Sequence, residues 1–102
     1  MRHYEVAFII HPDQDETSTK ELIERVQSWI KDAGGTVHKA DVWGKRKMAY
    51  EIKKQREGQY VFLQAEFESA FCGELERNLR LQEAVMRFML TAMEPAAPPA
   101  AG

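Results

Sequence analysis

Residues 36–68 read TVHKADVWGKRKMAYEIKKQREGQYVFLQAEFE, and this stretch predicts a long β-hairpin. In its first arm, MAYEI at 48–52 alternates with the period of two that is typical of a strand. The phase of the alternation changes between Val37 and Ala40, which indicates a β-bulge. We therefore expect residues 36–52 to form one long, bent strand, followed by a turn at 53–57 that Gly58 closes.

The second arm, residues 60–68, has the clearest alternation in the chain. Apolar side chains recur at every second position, and we expect them to face the core. These are Val61, Leu63, Ala65 and Phe67. Tyr60 and Phe62 then face the other way, so two aromatic rings lie on the face of the sheet opposite the core.

The flanking segments predict two βα units. Residues 4–10, YEVAFII, read as a central strand that Pro12 terminates. Ser18 and Glu21 form a capping-box pattern, which predicts a helix from Ser18 to its glycine cap at Gly34. Ser69 is expected to cap a second helix, and residues 84–91 read as a last strand. The proline-rich tail at 94–102 is expected to be disordered.

This order of elements, β-α-β-β-α-β, predicts an α+β fold of the ferredoxin-like kind, a split β-α-β sandwich. We expect a four-stranded antiparallel sheet with both helices on one face, built from residues 1–93 as a single domain. The first and third strands should be central, and the long second strand should lie at an edge.

Charge is concentrated in the hairpin. Residues 43–56 carry six lysine or arginine side chains and one acid, a net charge of 6 − 1 = +5, whereas the whole chain is −2 and the remainder is therefore −7. A local basic segment that also contains Trp43 and Tyr50 indicates an anionic partner such as RNA. The alternative is that the cations only keep an edge strand soluble.

Other classes of function find little support in the sequence. The one cysteine, Cys72, and the scattered His3, His11 and His38 show no metal-ligand spacing, and we predict no metal, no cofactor and no enzymatic activity. Phosphate-binding and dinucleotide-binding glycine motifs are lacking. No signal peptide or membrane span is expected, and we predict a cytoplasmic protein.

Three segments together resemble a known family. They are RHYE at 2–5, GKRKMAYEIKK at 44–54 and the strand that follows Gly58. The chain is similar in these segments, and over nearly all of residues 1–91, to the bacterial small-subunit ribosomal protein six family. The resemblance implies the same split β-α-β fold, no catalysis and no cofactor. It also implies a structural role on the ribosome.

The resemblance further implies two partners, namely small-subunit ribosomal RNA and the small-subunit ribosomal protein eighteen as a heterodimer partner. Candidate rRNA-binding residues are Arg2, Lys45, Arg46, Lys47, Lys54 and Arg87. Candidate contacts with either RNA or the partner protein are Trp43, Met48, Tyr50, Tyr60 and Phe62. The proline- and alanine-rich tail departs from the acidic or longer tails of some members.

Two alternative functions share this fold class. A generic single-stranded RNA-binding module would need an aromatic signature on its third strand, which GQYVFL at 58–63 fits poorly. A small-molecule regulatory domain of the ACT type usually has glycine after the first strand, where this chain has PDQDE at 12–16. That acidic loop also disfavours an acylphosphatase-like enzyme, because it would repel a phosphate.

Overall fold

In the computed structural model, residues 1–52 and 54–93 are described, and they form the predicted α+β sandwich. Its strands are β1 (Arg2–Ile10), β2 (Thr36–Ile52), β3 (Gln55–Phe67) and β4 (Val85–Met93). Its helices are α1 (Glu16–Asp32) and α2 (Cys72–Arg80), and a short 3₁₀ turn at Ser69–Phe71 precedes α2. The predicted disordered tail, 94–102, lies outside the described residues.

The four strands pair antiparallel in the order β2-β3-β1-β4, so β1 and β3 are central and β2 is an edge, as predicted. The predicted bounds of β2 are confirmed at both ends. Both helices cover one face of the sheet, which we call the core face. The opposite face, which carries no helix, is called the open face below.

The core lies between the sheet and the helices. Phe8 and Leu63 from the central strands, Ile30 from α1 and Leu79 from α2 are at most 1% exposed. All four predicted core residues of β3 are buried, which confirms that face assignment. Burying each large apolar side chain contributes roughly 1.5–3 kcal/mol, so this layer supplies the main favourable free energy of folding.

Helix α1 begins earlier than the capping-box pattern predicted. Its N-cap is Asp15 instead of Ser18, and the Ser18 backbone N–H donates to Asp15 Oδ1 at 2.7 Å. The carboxylate satisfies a donor that the first turn leaves free, and this lowers the pKa of Asp15. At the other end, Gly34 has φ +87, which confirms the predicted left-handed cap.

Two further predictions of local structure were wrong. Ser69 does not cap α2, because the 3₁₀ turn is inserted before that helix and no side chain caps either element. The turn of the hairpin is shorter than 53–57, since β3 already begins at Gln55. Lys54 there has φ 66, a left-handed conformation that is common in tight hairpin turns.

Gly58 therefore lies inside β3, where it serves close packing. A Cβ at this position would lie 2.3 Å from Ile9 Cγ2, so only glycine lets the Ile9 side chain cross β3 here. This approach fixes the hairpin against β1.

No helix in the described ranges, 1–52 and 54–93, is long and apolar enough to cross a membrane.

Candidate RNA and protein interface

The open face carries the aromatic residues that the sequence singled out. Two β-bulges in β2 help to place them there, because an extra residue in a bulge changes which face the following side chains take. The second bulge lies between Val42, which pairs with Val61, and Gly44, which pairs with Tyr60. Gly44 has φ +77, a conformation that glycine adopts without steric cost. The bulge turns Trp43 onto the open face.

Trp43 is the centre of an aromatic cluster on that face. Its ring lies 4.7 Å from the ring of Phe62, and Phe62 lies 6.4 Å from Tyr60. The Arg46 guanidinium lies 5.8 Å from the centre of the Trp43 ring, within cation–π range. Trp43 is nevertheless 53% exposed, so one side of its ring is free to stack on a base or to pack against a protein.

The far end of the hairpin curls across the open face. Tyr50 belongs to the edge strand β2, yet its hydroxyl accepts a hydrogen bond from Arg87 on β4, the strand at the opposite edge. Arg87 also lies 5.9 Å from the centre of the Tyr50 ring. The sequence predicted Arg87 as a phosphate contact, but in this structure its guanidinium already pairs with Tyr50.

The curl forms an apolar groove of about 410 Å³ on the open face. Met48 and Tyr50 from the hairpin form one side, and Ile9 and Tyr60 from the central strands form the floor. Met89 on β4, which the sequence analysis did not single out, also lines it and is 54% exposed. The signal for Met89 was the alternation in β4, which puts Arg87 and Met89 on one face.

The predicted cations fall into separate groups. Lys45, Arg46 and Lys47 are exposed and consecutive on β2, and we call them the hairpin cations. Lys54 is exposed beyond them, at the tip. Arg2 pairs with Phe67 and Lys45 with Gln59, so the two cations are eight β3 residues apart, roughly 26 Å along the strand. The structure therefore groups the hairpin cations together and places Arg2 at the other end of the sheet.

The helix side of β2 is mixed in charge. A groove of about 760 Å³ runs between α1 and β2, and its charged lining residues are Asp15, Glu16, Lys20, Glu24 and Lys45. Because the carboxylates outnumber the lysines, a phosphate backbone is attracted less strongly there than along the rest of the basic hairpin.

Comparison with known proteins adds an independent finding. The model of the family described as "Ribosomal protein S6" matches residues 3–92 of this chain. The small ribosomal subunit protein bS6 of Moorella thermoacetica is 43% identical over 94 residues, which cover 92% of this chain and 96% of that protein. The protein of the same name from Streptomyces coelicolor is 47% identical over 87 residues, covering 85% and 91%.

A solved structure agrees with the sequence comparison. The crystal structure of 30S ribosomal protein S6 from Thermotoga maritima superposes with a TM-score of 0.86 at 34% sequence identity. The match covers 90% of this chain and 87% of that one. Nearly all of the described sheet and both helices are thus shared with a protein of the small ribosomal subunit.

Proposed function

The chain belongs to the ribosomal protein S6 family, and we propose that it binds small-subunit rRNA together with the small-subunit ribosomal protein eighteen. As a member of this family it is a structural, non-enzymatic component of the small ribosomal subunit, and its place in the cell is the cytoplasmic ribosome. The sequence-based predictions of family and structural role are confirmed.

The proposal rests on one observation: two different surfaces lie side by side on one hairpin. The hairpin cations lie on the exposed part of β2, and the cluster of Trp43, Phe62 and Tyr60 lies beside them on the open face. Lysine and arginine supply affinity for phosphates, whereas partly exposed aromatic rings supply contact area for a base or a protein. One rigid element can therefore meet RNA and protein together.

We assign the two surfaces to different partners. The groove under Tyr50 is lined mainly by apolar side chains, which suits side chains of a protein partner. The hairpin cations and Lys54 are exposed on the edge hairpin of the sheet, where a folded RNA has room to approach. Arg46 and Trp43 lie at the boundary and would contact both.

The charge distribution explains why a heterodimer suits this protein. Outside residues 43–56 the chain sums to −7, which opposes the approach of RNA from most directions. A basic partner seated in the groove would offset this charge and widen the positive surface around the hairpin. The protein would then act architecturally, because the pair would clamp a folded RNA junction between the hairpin and the partner.

The test measures binding of the heterodimer to an RNA junction from the central domain of small-subunit rRNA over a range of salt. Replacing Lys45, Arg46 and Lys47 together by Ala should weaken binding and reduce the salt slope by up to about 3 × 0.9 log units per log unit of salt. The matched control replaces Lys20, Lys31 and Arg77, three exposed cations of the helix layer, and should change the slope little. Equal slopes for both triple variants would refute the assignment of the hairpin to RNA.

A second experiment tests the protein partner separately. Tagged protein is used to capture binding proteins from a bacterial lysate with and without ribonuclease. Recovery of protein eighteen after ribonuclease treatment would support direct contact between the two proteins. Loss of protein eighteen on ribonuclease treatment would show that RNA alone joins them and would overturn the heterodimer.

A further inference from the structure

The open face holds a second group of side chains that the proposed function does not use. His3, His38 and Glu66 each place one donor atom within 4.8 Å of the others. His38 Nε2 lies 3.2 Å from Glu66 Oε1, and His3 Nε2 lies 4.0 Å from the same oxygen. The two imidazole rings stack with their centres 5.6 Å apart and their planes 19° apart.

Three adjacent strands of the sheet build this cluster. His3 on β1 pairs directly with Glu66 on β3, so both side chains emerge on the same face. On β2, the first bulge lies between Val37, which pairs with Ala65, and Lys39, which pairs with Gln64. His38 is the extra residue of that bulge, and the bulge aims its ring at Glu66. The backbone ladder thus holds the three residues next to one another on one face of the sheet.

We propose that His3, His38 and Glu66 form a binding site for a divalent transition-metal ion, with Zn²⁺ as the best fit. Two imidazole nitrogens and one carboxylate oxygen are a donor set that Zn²⁺ commonly takes. In a tetrahedral site with bonds of about 2.0–2.2 Å, donor atoms lie roughly 3.3–3.5 Å apart. The His38–Glu66 pair is already at that spacing, whereas the His3 ring must turn out of its stack with His38 so that its nitrogen, now 4.0 Å from Glu66, points at the same ion.

The exposure of the three side chains determines how an ion would be held there. The side chains of His3 and Glu66 are each 33% exposed and that of His38 is 45% exposed. An ion there would keep a coordination position open to water, and it would exchange with solvent instead of being locked in a core. The sequence predicted no metal because it separates His3 from His38 by 35 positions; only the pairing of the strands brings them together.

The site lies at the end of the open face where the hairpin begins. Glu66 and Tyr60 are six residues apart on β3, roughly 20 Å along the strand, whereas Glu5, two residues from His3 on β1, lies at the near end of the groove. An ion here would join β1, β2 and β3, so it would resist separation of the edge strand. Metal binding can be measured on the free protein, without RNA or a partner protein.

The first experiment titrates the full-length protein with Zn²⁺ and follows binding by calorimetry and by NMR of the histidine rings. We expect saturable uptake of one ion per chain, with ring signals of His3 and His38 shifting and those of His11 staying in place. Two residues are added before Met1 so that a free terminal amine cannot chelate metal together with His3. Cu²⁺ is avoided, because it favours such tetragonal chelates.

Variants complete the test. His38→Ala and Glu66→Gln should each abolish the saturable uptake, while His11→Ala, which removes a histidine beside Asp13 outside the cluster, should keep it. Thermal unfolding with Zn²⁺ should raise the Tm of the wild type and of His11→Ala only. Unaltered uptake in both cluster variants, or no one-to-one uptake by the wild type, would overturn the proposal. The NMR result on the wild type stands even if a variant fails to fold.

Discussion

The two faces of β3 differ sharply, although one backbone ladder supports both. Val61, Leu63 and Phe67 on the core face are fully buried under the helices, whereas Tyr60 and Phe62 on the open face keep part of their rings in solvent. The core face supplies the free energy of folding, because its apolar area leaves water completely. The open face contributes less to folding, and its rings remain available for partners.

Weakening the core face should have the largest effect on stability. Leu63→Ala should lower the free energy of unfolding by about 2–5 kcal/mol, because it leaves a cavity in a fully buried site. Phe62→Ala, at the neighbouring position on the open face, should cost clearly less, since one side of that ring is already hydrated. Urea denaturation of both variants measures the difference. Equal losses would mean that the open face is part of the core.

Gly58 lies on the open face against the side chain of Ile9, and its substitution should have the next largest effect. Gly58→Ala places a Cβ 2.3 Å from Ile9 Cγ2, and this overpacking should destabilise the protein by roughly 1–3 kcal/mol. Because Ile9→Ala removes the clashing methyl group, the double variant should lose less than the sum of the two single variants. Thermal unfolding of all four proteins tests this. Strict additivity would show that the glycine is needed for another reason.

Asp15 caps helix α1, which lies on the core face, and its contribution to the stability of the protein depends on pH. The Ser18 backbone N–H holds the pKa of Asp15 below its ordinary value. The stability gained is therefore present above the unfolded-state pKa of about 3.9 and is lost as the pH falls through the folded-state pKa. We expect Asp15→Ala to be less stable than wild type at pH 7, and we expect the difference to shrink as the pH falls below about 3.9. A pH-independent difference between the two proteins would contradict the cap.

Trp43→Ala should affect binding more than stability. The residue is 53% exposed, and loss of its ring contact with Phe62 should cost roughly 0.5–1.5 kcal/mol. Binding to the RNA or to the partner protein should nevertheless weaken, because the central ring of the aromatic cluster is gone. Val42→Ala, an exposed neighbour on the helix side, is the matched control. Normal binding by Trp43→Ala would show that this aromatic cluster is not part of the interface.

Much of this arrangement could be predicted from the sequence, because period-two alternation assigns faces directly. The core face of β3 and the bounds of β2 were obtained in this way. Gly58 was assigned to the turn because glycine is common in turns, whereas its actual role depends on Ile9, which is 49 positions away. A local sequence pattern does not predict a contact between residues so far apart in the chain.

The candidate site shows the same limit. The charge of the hairpin is visible in the sequence, but the contact between Tyr50 and Arg87 depends on how far the hairpin curls across three neighbouring strands. Bulges are equally hard to place, since a change in phase at Val37 fits several positions. The faces of His38 and Trp43 therefore followed only from the pairing register.

The two bulges of β2 also have a consequence for insertions and deletions. Each adds one residue to the strand relative to β3, and each reverses the parity of the positions that face the open side. Position 36 faces that side, positions 39 and 41 follow after the first bulge, and Gly44 and Arg46 follow after the second; a further register shift lies between Lys47 and Ile52. Deleting one residue at either bulge would exchange the faces of everything beyond it or slide the hairpin by one step. Two compensating deletions, one at each bulge, would restore the parity of the distal hairpin. A one-residue deletion at one bulge should therefore be tolerated when a second one-residue deletion is made at the other bulge.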